Sequence, residues 1–298
     1  MSANGHIPVL VDETLSYLDA GREGTYIDCT LGLGGHALEI LTRNSLAKII
    51  GFDVDELSLR QAKKRLAPFA DRLTLYHADF RYLPDLEIDF GRVKGVLLDL
   101  GISSFQLDSP NRGFSFNQDG PLDMRMDLRN RTTALKVIGK YSEPKLAEIF
   151  QRYGELKQTR RLARDIASLR KGDGLNTTSQ LRQLVERVYS WRPQKGKIHP
   201  AAKVFQALRI EVNQELKDLG AFLVRTARMS CPSTRLVAIC FESLEDRIIK
   251  HTFLGLASRE QDKPILRILT KKPVTPKEEE ITSNPRSHSA KLRAAERV

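Results

Sequence analysis

The sequence predicts an α/β fold in which a doubly wound parallel sheet is interrupted by an inserted all-helical domain. Strand and helix patterns alternate between residues 24 and 101. Helical patterns alone fill residues 128–200, and the strand–helix–strand order returns from residue 235. Alternation at this spacing is typical of a parallel sheet whose faces are covered by helices. The break in the alternation therefore indicates a helical module placed inside the sheet domain.

The predicted strands are short apolar runs bounded by polar or turn residues. The clearest is VKGVLLDLG, because a continuous apolar run suits a strand that is buried on both faces of a parallel sheet. Helical segments follow the first two strands, and DELSLRQAKKRLAPFA among them is amphipathic. The predicted strands cover residues 25–30, 47–53, 73–79, 93–101, 235–241 and 264–270.

The inserted segment carries amphipathic helices. EPKLAEIFQRYG has one apolar face and is expected to end at Gly154, which suits the C′ position of a helix. TTSQLRQLVERVYS has a second apolar face, with Thr177 or Thr178 as its N-cap. A long helix is expected to begin near Pro200, because an apolar stripe continues as far as Leu223.

These elements define two domains. The sheet domain is expected to comprise residues 1–108 and 209–298, and the inserted basic helical domain residues 109–208. After the last predicted strand the tail is polar and charged, contains three prolines and has only a weakly apolar face near its end. The sequence leaves the packing of this tail open.

Composition and length limit the class of protein. The chain has 298 residues, of which 41% are hydrophobic, so a sizeable core can form. No apolar run reaches the roughly 20 residues of a membrane span, and the N-terminus lacks the pattern of a signal peptide. Cys29, Cys231 and Cys240 are too widely spaced to indicate a zinc site or a disulfide framework. We expect a reduced, cytoplasmic protein with no membrane association.

The positive charge is confined to one internal block. The net charge is +11, and residues 128–210 contain 19 Lys/Arg against 6 Asp/Glu, whereas the remainder contains 29 against 31. Such an asymmetry is typical of a module that faces a polyanion. A merely soluble basic surface is the alternative, and the confinement of the charge favours nucleic acid.

A glycine-rich loop follows the first strand. In DCTLGLGGHA, Gly32, Gly34 and Ala37 fit the pattern G-x-G-x-x-G/A, which lets a cofactor approach the backbone at a helix N-terminus. Asp53 ends the second strand 21 residues after Gly32, where a carboxylate accepts hydrogen bonds from ribose hydroxyls. The two features together favour a cofactor that carries a nucleoside over a simple turn.

Acidic residues at other strand ends distinguish between two cofactors. Asp28, Asp79 and Asp99 all lie at carboxyl ends of predicted strands, and parallel sheets bind ligands at that edge. A cationic sulfonium, as in S-adenosylmethionine, suits an acidic edge, whereas the pyrophosphate of NAD would be repelled. S-adenosylmethionine is therefore favoured, and an NAD-dependent oxidoreductase stays an alternative.

The segment RGFSFNQDGPLDMRMD, residues 112–127, combines aromatic and charged residues without helix or strand periodicity. It follows DLGISSFQLD at the end of the fourth strand, so we expect it to border the active site. Its phenylalanines, with Phe105, either stack on a base or anchor the segment, and its arginines, with Asp123, either pin it or contact phosphate. The candidate RNA contacts here are Arg112, Phe114, Phe116 and Arg125.

Several longer motifs resemble one known family. The block from residue 99 to 127 is the most specific of them, and the match runs from about residue 6 to 293. The family is ribosomal RNA small-subunit methyltransferase H, also called MraW. The matching motifs are HIPVLVDETL, DCTLGLGGHALEIL, GFDVDELSLRQAKKRL, DLGISSFQLDSPNRGFSFNQDGPLDMRMD, HPAAKVFQALRIEVNQEL, SLEDRIIKHTF and NPRSHSAKLR.

The resemblance implies a fold, a reaction and a partner. It implies a class I S-adenosylmethionine-dependent methyltransferase with a Rossmann-like sheet and an inserted helical recognition domain. The implied reaction is methylation of the exocyclic N4 of a cytidine in the decoding centre (P site) of 16S rRNA, within the small ribosomal subunit. No metal is implied, and both a monomer and a homodimer are compatible. The implied cofactor-binding residues are Gly34, Gly35, His36, Asp53, Phe80, Asp99 and Gln106.

Several positions depart from the family pattern, among them Ala202 for threonine, Leu156 for a frequent glutamate, and three charged or titratable residues. Lys203 stands where the family has arginine, Glu242 where it has histidine, and His288 where arginine is usual. Because lysine lacks the bidentate geometry of arginine, the contact made by residue 203 is in doubt. None of the three lies in the glycine loop or in residues 99–106.

The expected chemistry needs a hydrogen-bond acceptor for the cytosine amine. Asp99 is the first candidate, although its role can equally be confined to the cofactor, and Ser103 and Ser104 are weaker candidates that otherwise cap the turn. Basic residues of the insertion are expected to contact rRNA phosphate. They are Arg160, Arg161, Arg164, Lys195 and Lys197. A non-catalytic RNA-binding or ribosome-assembly factor is the remaining alternative.

Overall fold

The computed structural model describes residues 8–170, 174–194, 196–258 and 263–298. Its strands are β1 (Gly24–Asp28), β2 (Ala47–Asp53), β3 (Leu73–His77), β4 (Val93–Asp99), β5 (Arg235–Cys240), β6 (Leu266–Ile268) and β7 (Lys291–Arg297). Its helices are α1 (Val11–Leu18), α2 (Gly35–Arg43), α3 (Glu56–Arg65), α4 (Ser104–Leu107), α5 (Ala134–Lys140), α6 (Glu143–Gly154), α7 (Thr159–Leu169), α8 (Thr178–Val188), α9 (Pro200–Asn213), α10 (Leu219–Met229), α11 (Ser243–Leu256) and α12 (Glu278–Ser283). Within the described residues, no helix is long and apolar enough to cross a membrane.

The chain divides into a sheet unit and a helical unit. The sheet unit is Met1–Gly101 with Asp218–Val298, and the helical unit is Ile102–Lys217. The borders predicted from the sequence, 108/109 and 208/209, lie seven residues after and nine residues before the borders of these units. The first border lies immediately after β4, and the second lies in a break between two helices.

That break corrects the single long helix expected after Pro200. The helix α9 ends at Asn213, and α10 begins at Leu219. Gln214 (φ 51°) and Asp218 (φ 58°) both adopt the left-handed conformation, which ends a right-handed helix. The apolar stripe runs on through the break, so periodicity alone does not reveal it.

The sheet has seven strands in the order β3-β2-β1-β4-β5-β7-β6. All neighbouring pairs from β3 to β5 are parallel, and β7 runs antiparallel to both β5 and β6. The predicted α/β class is confirmed: a doubly wound sheet, parallel from β3 to β5, carries an all-helical insertion between β4 and β5.

The strand β7 was not predicted from the sequence. Leu292, Ala294 and Ala295 are fully buried in it, and its residues 291–296 pair with β5. Its apolar residues are mostly alanines and they alternate with Lys291, Arg293 and Glu296, so the segment carries no apolar run. The apparently polar tail therefore completes the sheet.

Helices cover both faces of the sheet, as a doubly wound fold requires. Leu97 points to the face covered by α1, α2 and α3, where it shares a core with Leu18 and Ile40. Its neighbours Val96 and Leu98 point to the other face, which α10 and α11 cover. Buried apolar side chains on both faces explain why β4 reads as a continuous apolar run.

The helical unit has a core of its own. Leu146, Phe150 and Leu181 are fully buried in it, as the predicted amphipathic faces require. Thr177 is the N-cap of α8 in a capping box with Gln180, as expected. At the end of α6, however, Gly154 is still helical, and Glu155 takes the left-handed position (φ 51°).

Candidate functional site

The strand order places a ligand-binding crevice at the carboxyl ends of β1 and β4. The chain leaves β1 toward β2 on one side, and β4 is its neighbour on the other, so the strand order reverses there. Open α/β sheets bind ligands at such a switch point. Three carboxyl groups end strands at this edge: Asp28 on β1, Asp53 on β2 and Asp99 on β4.

The glycine loop is held by Asp53. The Gly32 N–H donates to Asp53 Oδ2 at 2.7 Å, and the Asp55 N–H donates to Asp53 Oδ1 at 2.8 Å. Burial raises the pKa of Asp53 to about 6, against the effect of these hydrogen bonds. A carboxylate has about four acceptor sites, so Asp53 can hold the loop and still accept a hydrogen bond from a ligand hydroxyl.

Gly34 requires glycine for two reasons. It is the N-cap of α2 with φ 75°, a left-handed conformation that disfavours other side chains. A Cβ atom there would also lie 2.9 Å from Leu66 Cδ1. Gly35 follows as the first residue of α2. The loop therefore brings bare backbone to the N-terminus of a helix, where N–H groups can receive ligand oxygens.

Asp99 has a buried oxygen without a partner. Its side chain is 22% exposed, but its Oδ1 atom is buried and accepts no hydrogen bond from the described residues. Burial raises the pKa of Asp99 to about 7. An unpaired buried acceptor is costly in a folded protein, and it is usually retained where a ligand completes it.

His36 connects Asp99 to the N-terminal segment. Its Nε2 lies 2.9 Å from the Val9 carbonyl oxygen, which can only accept, so Nε2 carries the proton. Its Nδ1 then presents a lone pair to Asp99 Oδ2 at 3.6 Å. Burial lowers the pKa of His36, so the ring is neutral and this contact favours a proton on Asp99.

Asp28 adds a third titratable group to this cluster. It is 3% exposed, and its Oδ1 accepts a hydrogen bond from the Thr30 N–H at 3.1 Å. Burial raises its pKa to about 7, while His36 and the Thr30 hydrogen bond oppose that rise. The Thr30 hydroxyl in turn accepts from the Asp99 N–H at 2.6 Å. Thr30, which the motif analysis passed over, thus links the ends of β1 and β4.

Fewer carboxylates than expected face a ligand at the carboxyl edge of the sheet, because Asp79 is paired with Arg81. Its carboxylate forms an ion pair with Arg81, whose Nε donates to Asp79 Oδ1 at 2.9 Å. Asp79 therefore offers no uncompensated charge to a cationic ligand, which corrects the prediction for this residue. Phe80, predicted to contact the cofactor, packs edge-on against Phe222 at 4.8 Å and is half-buried.

Ser103, Ser104 and Gln106 belong to the helical unit. Ser103 is the N-cap of α4, and its Oγ accepts from the Gln106 N–H at 3.2 Å. The Gln106 side chain accepts from the Ser103 N–H at 3.1 Å, which completes a capping box. Ser103 therefore has the capping role that was the alternative to catalysis, and Gln106 is buried against the same turn.

Within the 112–127 segment, Arg112 and Phe114 are internal. The Arg112 guanidinium is buried and donates to the carbonyl oxygens of Arg125 and Met126 at 2.8 and 3.0 Å. Phe114 is 5% exposed and belongs to the core of the helical unit. Their side chains pin and anchor the segment, which is the alternative that the sequence left open beside an RNA contact.

Arg125 also braces the segment. Its Nε and Nη2 donate to the two oxygens of Asp123 at 2.8 and 2.7 Å, and its Nη1 donates to the carbonyls of Leu128 and Asn130. Although burial opposes ionisation, the hydrogen bonds from Arg125 lower the pKa of Asp123. Phe116 differs from its neighbours because it stays partly exposed.

The predicted phosphate contacts lie mostly on the surface. Arg160, Arg161 and Arg164 are exposed along α7, and Lys197 is exposed before α9. Lys195 lies outside the described residues.

The three charged or titratable residues that depart from the family pattern have different surroundings. Lys203 donates to Gln206 Oε1 at 3.0 Å. Glu242 precedes α11, and its N–H donates to the buried carboxylate of Glu245 at 3.1 Å. His288 is exposed. Among the described residues, no group of His, Cys, Asp and Glu side chains is placed to hold a metal ion.

Comparison with known proteins points to one family. The sequence pattern of the MraW methylase family matches residues 3–298. The chain is 48% identical to a ribosomal RNA small subunit methyltransferase H from Thermotoga neapolitana, over 98% of this chain and 96% of that protein. It is 44% identical to a protein of the same name from Carboxydothermus hydrogenoformans, over 98% of each. A crystal structure of an rRNA methylase from Streptococcus thermophilus aligns with 99% of each chain at 11% identity and a TM-score of 0.43.

Proposed function

The chain belongs to the MraW methylase family, and on that premise we propose that it methylates the exocyclic N4 of a cytidine in the decoding centre (P site) of 16S rRNA. The coarser activity, S-adenosylmethionine-dependent methylation of small-subunit rRNA, follows from the family and from relatives that match over nearly their whole length. The base, the atom and the position in the subunit are our proposal.

The residues at the carboxyl edge of the sheet fit S-adenosylmethionine. Gly34 and Gly35 present bare backbone, and Asp53 offers acceptor capacity for ribose hydroxyls. Asp28 is buried and Asp99 is half-buried, both carboxyl groups have raised pKa values, and a nearby cation favours their ionised forms. The unpaired Oδ1 of Asp99 is the atom that a ligand donor would complete. NAD fits less well, because its pyrophosphate would meet the same carboxyl groups.

The observation that carries the mechanism is the buried, unpaired Oδ1 of Asp99. When bound, S-adenosylmethionine supplies an electrophilic methyl group on a positively charged sulfur. The cytosine N4 lone pair would form the new N–C bond while the bond between the methyl carbon and sulfur breaks and leaves a neutral thioether, and N4 must lose one proton. Asp99 accepts a hydrogen bond from N4 through Oδ1 and then takes that proton, since its pKa of about 7 suits proton transfer near neutral pH.

His36 stabilises the acid that Asp99 becomes. Its Nε2–H is fixed by the Val9 carbonyl, so its Nδ1 lone pair faces Oδ2 of Asp99. Beside a bound sulfonium cation Asp99 would be ionised, and it would take the N4 proton as a carboxylate. The Nδ1 lone pair would then stabilise the resulting acid through a proton on Oδ2.

The direct test is to locate the methyl group. Pure protein is incubated with methyl-labelled S-adenosylmethionine and small subunits from cells that lack the activity, and the rRNA is digested for nucleoside mass spectrometry. We expect N4-methylcytidine in one 16S rRNA fragment, and none with the Asp99→Asn variant. Label on another base or atom would overturn the proposed specificity. Cofactor binding without any transfer to subunits or rRNA would favour the assembly-factor alternative.

A further inference from the structure

A series of aromatic rings leads from the core of the helical unit to its surface. Phe205 is buried in the core, and Phe116 meets it edge-on with ring centroids 5.9 Å apart. Phe116 stacks on His199 at 5.1 Å with 25° between the rings, and Trp191 lies 5.0 Å from His199 at 58°. We call Phe116, His199 and Trp191 the aromatic stack.

The aromatic stack is held in place by hydrogen bonds. The Ala201 N–H donates to His199 Nδ1 at 3.0 Å, so the ring proton lies on Nε2, which donates to Glu186 Oε1 at 3.1 Å. The Trp191 backbone N–H donates to the Glu186 carbonyl oxygen at 2.9 Å. These contacts fix the middle ring and the backbone of Trp191. The stack is therefore preorganised for a planar ligand.

All three rings of the aromatic stack stay partly exposed, in a positively charged setting. The Arg182 side chain is 39% exposed and forms an ion pair with Glu186, whereas Arg192 and Lys197, which lie one and two residues from ring members in the sequence, are exposed. The helical unit contains 22 Lys/Arg and 12 Asp/Glu. Aromatic rings within a basic surface are the combination that binds single-stranded nucleic acid, because every base has a face that stacks.

We propose that the aromatic stack binds an unpaired RNA base by stacking, with Trp191 as the outermost ring. The proposal rests on the proposed function for the identity of the nucleic acid. It adds a base contact that is made by residues of the helical unit. Phe116 is the one aromatic residue of the 112–127 segment that takes part, whereas Phe114 lies in the core.

Trp191 provides its own reporter, because it is the only tryptophan of the chain. The full-length protein is titrated with a 12-nucleotide single-stranded RNA, with a duplex of the same length and with an abasic strand of the same charge. We expect the single strand to quench the tryptophan fluorescence, and the duplex and the abasic strand to quench it little at saturation. Fluorescence anisotropy of end-labelled RNA measures affinity independently.

Variants of Trp191 measure how much its ring contributes to the affinity for RNA. Trp191→Ala is expected to weaken binding of the single strand about tenfold, within the range for loss of one stacked base, and Trp191→Phe by less than about threefold. Leu135→Ala, which removes another exposed apolar side chain of the same unit, is the matched control and leaves affinity unchanged. Circular dichroism verifies that each variant is folded.

The outcomes distinguish this proposal from the proposed function. Suppose that subunits are methylated normally, that RNA does not quench the Trp191 fluorescence, and that Trp191→Ala binds RNA as tightly as the wild type. The proposed stacking site is then wrong, and the proposed function stands. If subunits are not methylated while quenching occurs, the proposed function fails and the stacking site stands. Quenching by RNA-free subunit proteins, and not by RNA, would reassign the stack to a protein partner.

Discussion

At the scale of single residues, the raised pKa of Asp99 predicts how stability depends on pH. Its pKa is about 7 in the folded protein and 3.8 when unperturbed, so between those pH values the folded state holds the proton more tightly. Stability therefore falls as pH rises through this window and stays reduced above it. Asp99→Asn removes the buried charge and is expected to raise stability at pH 8 by up to about 4 kcal/mol, at 1.36 kcal/mol per pKa unit.

The measurement is thermal unfolding of both proteins at pH 4 and at pH 8, beside a methyl-transfer assay. At pH 4 the two melting temperatures should nearly coincide, and at pH 8 the inactive variant should melt higher. Asp71→Asn is the control, since Asp71 is exposed and its replacement should leave the pH dependence unchanged. A variant that melts lower than the wild type at pH 8 would show that Asp99 is stabilised as an anion.

Arg125 and Arg129 each make a bidentate ion pair with an aspartate, and the two ion pairs can be compared. Each donates from Nε and Nη2 to the aspartate two residues earlier, but the Arg125 side chain is 23% exposed and the Arg129 side chain 57%. Arg125→Lys loses the bidentate fork and the carbonyl contacts, so we expect it to lower the free energy of unfolding by about 1–2 kcal/mol. Arg129→Lys should cost less than about 0.5 kcal/mol. Chemical denaturation checks both, and equal costs would contradict the bracing role of Arg125.

Residue types were predictable at this scale, but side-chain directions were not. The sequence singled out Asp53 and His36 from the glycine loop pattern and the resemblance, and both lie at the carboxyl edge of the sheet. It left the direction of Arg112 and Phe114 open, because an arginine can reach either a phosphate or a backbone carbonyl. Only the fold shows that carbonyls of the same segment surround Arg112.

At the scale of elements, the backbone of the 112–127 segment packs closely against the backbone of the preceding turn at Pro110. A Cβ atom on Gly120 would lie 2.1 Å from the Pro110 carbonyl oxygen, whereas nothing lies within 4 Å of a Cβ on Gly139 in α5. Gly120→Ala should therefore destabilise the helical unit by about 3 kcal/mol or more. Gly139→Ala should stabilise it by up to about 1 kcal/mol, since alanine favours a helix. The two substitutions should shift the unfolding midpoint in denaturant in opposite directions. If Gly120→Ala left the midpoint unchanged, the close approach of Gly120 to the Pro110 carbonyl would be refuted.

Elements were predictable where their residues carry a periodic apolar pattern. The strand β2 has the predicted limits, and α6 and α8 lie within one or two residues of theirs. Prediction failed where tertiary contacts decide the structure. The strand β7 has small apolar residues that are buried only because β5 and β6 flank it, and the break at Gln214–Asp218 interrupts an apolar stripe that looks continuous.

At the scale of the whole molecule, charge and fold divide at nearly the same places. The helical unit has 22 Lys/Arg against 12 Asp/Glu, and the remaining residues have 26 against 25. This division was visible in the sequence because charge composition needs no knowledge of contacts. The two borders were displaced, since the apolar and charge patterns change gradually there while the backbone conformation changes abruptly.

The division of charge predicts how RNA binding depends on salt. Arg160, Arg161 and Arg164 are exposed on α7, and each phosphate contact to a single strand contributes about −0.7 to the slope of log K against log salt. Replacing all three with Gln should reduce that slope by about 2 and weaken binding equally for every RNA sequence, because phosphate contacts carry no sequence information. Replacing Arg60, Lys63 and Lys64, exposed on α3 of the sheet unit, removes the same charge and should leave the slope within about 0.5 of the wild type. Anisotropy titrations from 50 to 300 mM salt, roughly the range in which such slopes are measured, compare the three proteins. Equal slopes for all three would mean that the net charge of the molecule, and not the surface of the helical unit, attracts the RNA.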